Sequence, residues 1–332
     1  MPETLIDNAP QLAAFAQTLK ALGYRSAEQA AGAAASAPAD LARYLGIDVP
    51  ALQAAFPPLR RAAGAAPKRR FSLGVQLNRI PRSRKALMLA PGAAVALPAS
   101  VNLIAEMRPV RDQGQRGTCV AHASCAVAEH YWRGQGNATL DLSRQFLYSD
   151  CKQHDGDPTG EGTWVGVAMP CLVSDGCCDE AAWPYVMTPV PGNEGQGPPP
   201  PQAVAQAGQY KVPSFKQIAP TSIPDIKSAL AGDRCVAFSI PVFNSWYLND
   251  EVTRTGEIIN PIPGEADVGG HAMCFVGYED LPGDSGQGGG RFYVRNSWDA
   301  QWGTQSVLGT PGYGTIPYSY ISGYCTEAYA IP

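Results

Sequence analysis

The sequence predicts an α+β protein with a small helical domain at its N-terminal end, and three observations predict it. The first 56 residues carry short Ala-rich helical patterns, whereas from residue 97 onward helix signals come early and apolar strand signals come late. A basic segment with no acidic residue lies between the two. A chain of 332 residues also exceeds the usual single domain of roughly 100–200 residues, so one large unit plus an accessory segment is the natural division.

Within residues 11–22, Leu12, Phe15, Leu19 and Leu22 recur at three- and four-residue steps, giving one apolar helical face, with Asn8 placed to cap it. Residues 26–36, 40–45 and 50–56 read as further short helices punctuated by Gly23 and Gly46. Residues 1–59 thus form a helical accessory domain of net charge −2. Residues 60–85 hold nine basic side chains and no acidic one, among them Arg60, Arg61, Arg79 and Lys85, and residues 86–332 are net −11. Opposite fields of this kind favour docking of a basic strap, residues 60–96, onto an acidic main domain, residues 97–332; a solvated linker is the alternative reading of the same charges.

In the main domain, residues 143–150 read as a capped helix and 223–230 as another, while a run at 204–211 leads into a Pro-punctuated stretch. Strands are expected at 235–242, 272–278 and 291–296. The stretch 190–202, with four consecutive prolines from Pro198, and the Gly-rich stretch 281–290 read as surface loops.

Composition narrows the class of function. Hydrophobic residues make up 45% and charged residues 16%, which suits a globular protein with a substantial core. No window approaches the roughly 18 apolar residues of a membrane helix, and Glu3 and Asp7 stand where a signal peptide carries basic residues. The expectation is synthesis in the cytoplasm, with export by a non-classical route left open, and no membrane partner. Nine cysteines, an odd number among apolar neighbours, suit reduced buried thiols, although the state of Cys151, Cys171, Cys177 and Cys178 stays open. His122, His130, His154 and His271 stand apart and there is no CxxC pair, so neither a metal nor another cofactor is expected.

The chemistry concentrates in three segments. RDQGQRGTCVAHASCAVAEHYW (111–132) changes at Cys119 from Gly, Gln and Arg to a helix-compatible run, which puts Cys119 at a helix N-terminus, where partial positive charge favours thiolate. In GGHAMCFVGYED, His271 opens an apolar strand directly behind two glycines. In RNSWDAQWG, Asn296 ends a strand and Trp298 follows, so that an amide can accept a histidine N–H under the shield of an indole.

These motifs, with LPASVNLIAEMRPVRDQGQRGTCVAHA ahead of them and DLSRQFLYSDC and WPY (183–185) between them, resemble the papain family, which includes the lysosomal cathepsins, across residues 97–332. The resemblance implies a two-lobed fold with a helical left lobe and a β-barrel-like right lobe. It implies a cysteine endopeptidase acting on peptides or proteins, with Cys119 as nucleophile, His271 as base and Asn296 as orienter. Gln113 and the Cys119 N–H would stabilise the oxyanion, and Trp298 would cover the pair. It also implies Gly270, Glu327 and Ser239 as substrate-binding positions, Glu327 on the floor of the pocket for the second residue before the scissile bond, where a carboxylate admits arginine. Residues 1–96 would act as an inhibitory pro-segment crossing the cleft near residues 71–85, held by charge and loosened at low pH.

Departures from the pattern are specific. Arg116 stands where the family usually has a disulfide-forming cysteine, and Val120 replaces an aromatic. His271 and Asn296 follow the nucleophile by 152 and 177 residues, longer than the family's spacing of about 130–150. A transferase or peptide-binding role on the same fold is the alternative function. The N-terminal helices, which loosely resemble helix-hairpin-helix repeats, lack the net positive charge that nucleic-acid binding needs and read as an interaction module. The sequence does not address oligomeric state.

Overall fold

A computed structural model describes residues 4–56, 71–79, 87–88 and 96–332. Most of the basic strap therefore lies outside the described residues, and the electrostatic docking expected of it is not addressed.

The N-terminal region holds α1 (Ala16–Ala21), α2 (Ala27–Ser36), α3 (Pro38–Leu45) and α4 (Val49–Ala55). The first expected helix is shorter than its apolar periodicity suggested. Residues Ile6–Asn8 and Pro10–Leu12 form tight 3-10 turns, and Asn8 caps nothing. Pro10 lacks the N–H that a longer helix would use there. In α2 a reciprocal capping box joins Ser26 and Gln29, and Gly46, at φ +70°, ends α3 in the left-handed conformation. The helices share their buried face with the main domain. Asn260 Nδ2 donates to the Leu22 carbonyl at 2.8 Å, Asn249 Nδ2 to the Gln29 carbonyl at 3.3 Å, and Gln29 Nε2 to Glu257 at 3.3 Å.

The helical lobe of the main domain contains α5 (Cys119–Gly134), α6 (Arg144–His154) and α7 (Val165–Ser174), with α8 (Pro201–Ala207) following the Pro-rich loop. Ser143 caps α6 by accepting the Phe146 N–H at 3.0 Å.

The second lobe is built on β1 (Leu87–Met88), β2 (Ser100–Asn102), β3 (Lys216–Gln217), β4 (Val236–Phe243), β5 (Asp267–Asp280), β6 (Gly290–Arg295), β7 (Tyr313–Pro317) and β8 (Glu327–Ala330). These strands run in the order β1-β3-β8-β4-β5-β6-β7, with β2 added to the far end of β5; all pairs are antiparallel except β1 with β3. Helix α9 (Ile223–Ala231), the short α10 (Asn244–Tyr247) and α11 (Asp250–Thr255), and α12 (Tyr318–Tyr324) pack around the sheet.

β4 has one partly exposed residue in eight, so it reads as an unbroken apolar run buried on both faces. β5 is twice the length expected: it begins at Asp267, pairing through Gly270 and His271 with the end of β4, and its register shifts near Gly277 before it continues against β2 and β6. The lobes meet where α5 packs on β4 and β5. That contact places the start of α5 beside the middle of β5.

Candidate active site

Cys119 is the first residue of α5 and is fully buried. The backbone N–H groups of Ala272, Val120 and Gly74 act on its sulfur, which sets that sulfur at the strand position next to His271. Burial nevertheless dominates and pushes the thiol up to about 12. The helix N-terminus was expected to favour thiolate; in this arrangement removal from water outweighs it.

His271 lies in β5 across from Ile240 and is also fully buried, which lowers it to about 4 against a weaker opposing effect of Asn296. Its Nε2 lies 2.8 Å from Asn296 Oδ1. The same Oδ1 accepts the Ser297 N–H at 2.8 Å, which identifies that atom as oxygen and therefore assigns the imidazole proton to Nε2. Nδ1, left with its lone pair, has no hydrogen-bond partner. Burial thus favours the neutral form of both the cysteine and the histidine. Trp298 stacks on the imidazole with ring centroids 4.5 Å apart.

Gln113 is buried and its amide is fully oriented. Ser297 Oγ donates to Oε1 at 2.6 Å, and Nε2 donates to the carbonyls of Arg116 at 2.9 Å and Ser72 at 3.0 Å. Ser297 lies inside the motif that holds Asn296, so it was within reach of sequence reasoning.

The segment 71–79 crosses this constellation. Phe71 stacks on Trp298 at 4.4 Å with the planes 8° apart, Trp298 Nε1 donates to the Ser72 carbonyl at 3.3 Å, and Tyr247 donates to the Phe71 carbonyl. Gly74 and Val75 both donate to the Gly270 carbonyl at 3.0 Å, while Thr163 donates to the Gly74 carbonyl at 3.0 Å. Val75 therefore bridges the two lobes, antiparallel to Gly270 and parallel to Thr163. Close approach depends on glycine. A Cβ on Gly74 would lie 2.0 Å from the Gly117 carbonyl oxygen, and one on Gly270 would lie 2.6 Å from the Val75 carbonyl oxygen.

Ser239 and Glu327 are brought together on adjacent strands, and Ser239 also faces Ala272 across β4 and β5. Glu327 is buried and already holds three donors: Gly166 N at 2.9 Å, Val165 N at 3.2 Å and Ser239 Oγ at 2.9 Å. Its carboxylate thus caps the start of α7. Burial raises its pKa above the ordinary glutamate value despite these donors.

Arg116 is fully buried. It donates to Gln145 at 2.7 Å and to the carbonyls of Val186 and Glu194 at 2.9 and 3.0 Å, with its guanidinium over the rings of Tyr148 and Tyr185. The residue that stands in place of a disulfide partner ties the turn before Cys119 to α6 and to the loop at 186–194. All nine cysteines are buried free thiols.

Residues 97–310 match the model of the papain family of cysteine proteases, and the chain belongs to that family. It is 28% identical to xylellain, a cysteine protease from Xylella fastidiosa, with a TM-score of 0.66 covering 80% of this chain and 98% of that one. A peptidase C1-like protein of Acanthamoeba polyphaga mimivirus is 29% identical over 64% of this chain, and Peptidase 1 of Dermatophagoides farinae is 27% identical over 63%. The matches span 65% and 60% of those two relatives' own lengths. The digestive procathepsin L 3 of Tenebrio molitor shares the fold, at 20% identity and a TM-score of 0.54.

Proposed function

We propose that the chain is a cysteine endopeptidase held latent by its own segment at residues 71–79. The observation that carries this reading is the hydrogen bond from Gln113 Nε2 to the Ser72 carbonyl, beside a nucleophile-and-base pair aligned by Asn296. A peptide carbonyl already lies on the side-chain donor that an oxyanion needs, with Cys119 next to it.

In the working enzyme a substrate replaces the strap. Cys119 passes its proton to His271 Nδ1, and its sulfur attacks the peptide carbonyl. The oxyanion receives Gln113 Nε2–H and the Cys119 N–H. His271 then returns the proton to the leaving amine, and water, deprotonated by the same nitrogen, releases the thioester. Asn296 keeps the second proton on Nε2 throughout, and Trp298 shields that bond. The Gly270 carbonyl, released from Gly74 and Val75, takes the substrate's main-chain N–H. Ser239 and Glu327 form the wall and floor of the pocket for the second residue before the cut. Residues 1–96 serve as the pro-segment, with the four helices as the anchor.

The test treats the full chain, and the chain after limited proteolysis within residues 80–96, with an epoxide-type thiol-protease inhibitor and a Phe-Arg amide substrate. Slow labelling before cleavage, fast labelling with turnover afterwards, and neither in Cys119→Ala is the expected result. Equal labelling of Cys119→Ala, or no labelling of the cleaved chain, overturns the reading.

A further inference from the structure

We propose that Asp150, His154 and Cys171 form a site on the helical lobe for a thiolate-binding divalent cation of the zinc class. Asp150 and His154 lie one turn apart on the last turns of α6, and Cys171 faces them from α7. One ligand atom from each lies within 4.8 Å of the other two.

The distances match what such an ion imposes. Tetrahedral zinc with its usual bond lengths separates a sulfur from a ring nitrogen by about 3.6 Å and a ring nitrogen from a carboxylate oxygen by about 3.4 Å. Cys171 Sγ lies 3.9 Å from His154 Nδ1, and that nitrogen lies 3.4 Å from Asp150 Oδ1. Asp150 is 8% exposed, its carboxylate meets the Cys171 thiol, and its Oδ2 has no hydrogen-bond partner among the described residues, which leaves a buried carboxylate oxygen spare in the cluster. On the inner side the Cys151 thiol contacts that of Cys171.

Access comes from a cavity of about 360 Å³ lined by Asp150, Gln153, Asp175 and Lys211, while the His154 side chain is 55% exposed. Without the ion, His154 Nδ1 lies 2.9 Å from the Asp150 carbonyl and donates to it. Binding moves that ring proton to Nε2, which faces solvent, and expels the Cys171 proton. Affinity therefore rises with pH.

The other cluster of this kind among the described residues, Glu106, His130 and Asp233, differs in two ways. It has no thiol, and Arg133 Nε already lies 3.8 Å from Glu106. An ion at His154 would brace the root of the loop at 155–163. Lys152 Nζ holds that loop at Asp155 and at the Gly162 carbonyl, 2.7 and 2.9 Å away, and its Thr163 pairs with Val75.

The test titrates cobalt(II) into the reduced full-length chain carrying Cys119→Ala, which removes the active-site thiol as a competing ligand. One cobalt per chain is expected, with a thiolate-to-cobalt charge-transfer band that zinc abolishes. The band disappears in Cys171→Ser, the affinity falls at least about tenfold in His154→Ala, and Glu106→Gln changes neither. His154 is half exposed, and an unchanged metal-free melting temperature shows that His154→Ala is folded. No charge-transfer band, the same band and affinity in both variants, or a Cys151–Cys171 disulfide in the freshly purified chain overturns the proposal.

Discussion

The ring of Phe71 lies parallel to the indole of Trp298, 4.4 Å away, and the same indole stacks on the imidazole of His271. One aromatic side chain thus contacts both the strap and the base. Stacking of this kind contributes about 0.5–1.5 kcal/mol beyond area burial, so Phe71→Ala should raise the open fraction of the uncleaved chain by roughly 2- to 12-fold or more. The rate of epoxide labelling at Cys119 measures it. An unchanged rate would mean that the hydrogen bonds to the segment, from Gln113, Trp298 and Tyr247 as well as at Gly270 and Thr163, hold the strap without the stacking.

The proposed latency should depend on pH, with a sign set by His271. Its pKa falls from 6.5 unfolded or solvated to about 4 under the strap, so the closed state binds fewer protons than the open one between those values. Closure is therefore favoured above about pH 6.5 and weakens as pH falls through 4, by the part of the shift that the strap's own covering of the ring supplies. Glu161, whose carboxyl is raised by burial, opposes this over its own range. Cys119 labelling in the full chain, measured as the fraction of chains opened during a fixed pulse after incubation at pH 4 or pH 7, should be greater at pH 4. Equal opening at the two pH values would remove His271 as the trigger.

Much of the site was legible because its residues sit where a local pattern changes. Cys119 begins a helix and Asn296 directly follows a strand, whereas His271, expected to open its strand, lies within one that already starts at Asp267. What stayed hidden depends on contacts between distant segments. Nothing local to Arg116 reveals that it gathers Gln145, Val186 and Glu194, and nothing near Glu327 reveals that its donors come from residues 165 and 166. The closed state of the nucleophile was misjudged for the same reason. A helix N-terminus is visible in sequence, whereas burial beneath Gly74 is a property of the assembled lobes. Sequence spacing likewise hides the approach of Cys171, which α7 brings to within 3.9 Å of the His154 ring.

Gln113→Ala should lower kcat of the cleaved enzyme on the order of a hundredfold, and should also lower its melting temperature because Ser297 Oγ and the Arg116 carbonyl lose a buried partner. Ser297→Ala removes the hydroxyl that holds Oε1 and should produce a smaller loss of kcat with KM preserved. Steady-state kinetics on a Phe-Arg amide separates the two. A Gln113→Ala enzyme with normal kcat would mean that the Cys119 N–H suffices as the oxyanion donor.

Glu327 caps α7, and the pocket-floor role proposed for it can be separated from that cap by substitution. As a cap it accepts Val165 N, Gly166 N and Ser239 Oγ in a buried setting, so Glu327→Ala leaves three donors unpaired and should cost about 1–3 kcal/mol or more, read as a lower melting temperature. Glu327→Gln keeps an acceptor oxygen and the side-chain volume but loses the charge. It should therefore retain most of the stability while the ratio of Arg-Arg to Phe-Arg cleavage falls several-fold. In the parent enzyme that ratio should decline as pH drops, starting above the ordinary glutamate range because burial raises this carboxyl. A ratio that ignores both pH and the Gln substitution would leave Glu327 as the cap of α7 and nothing more.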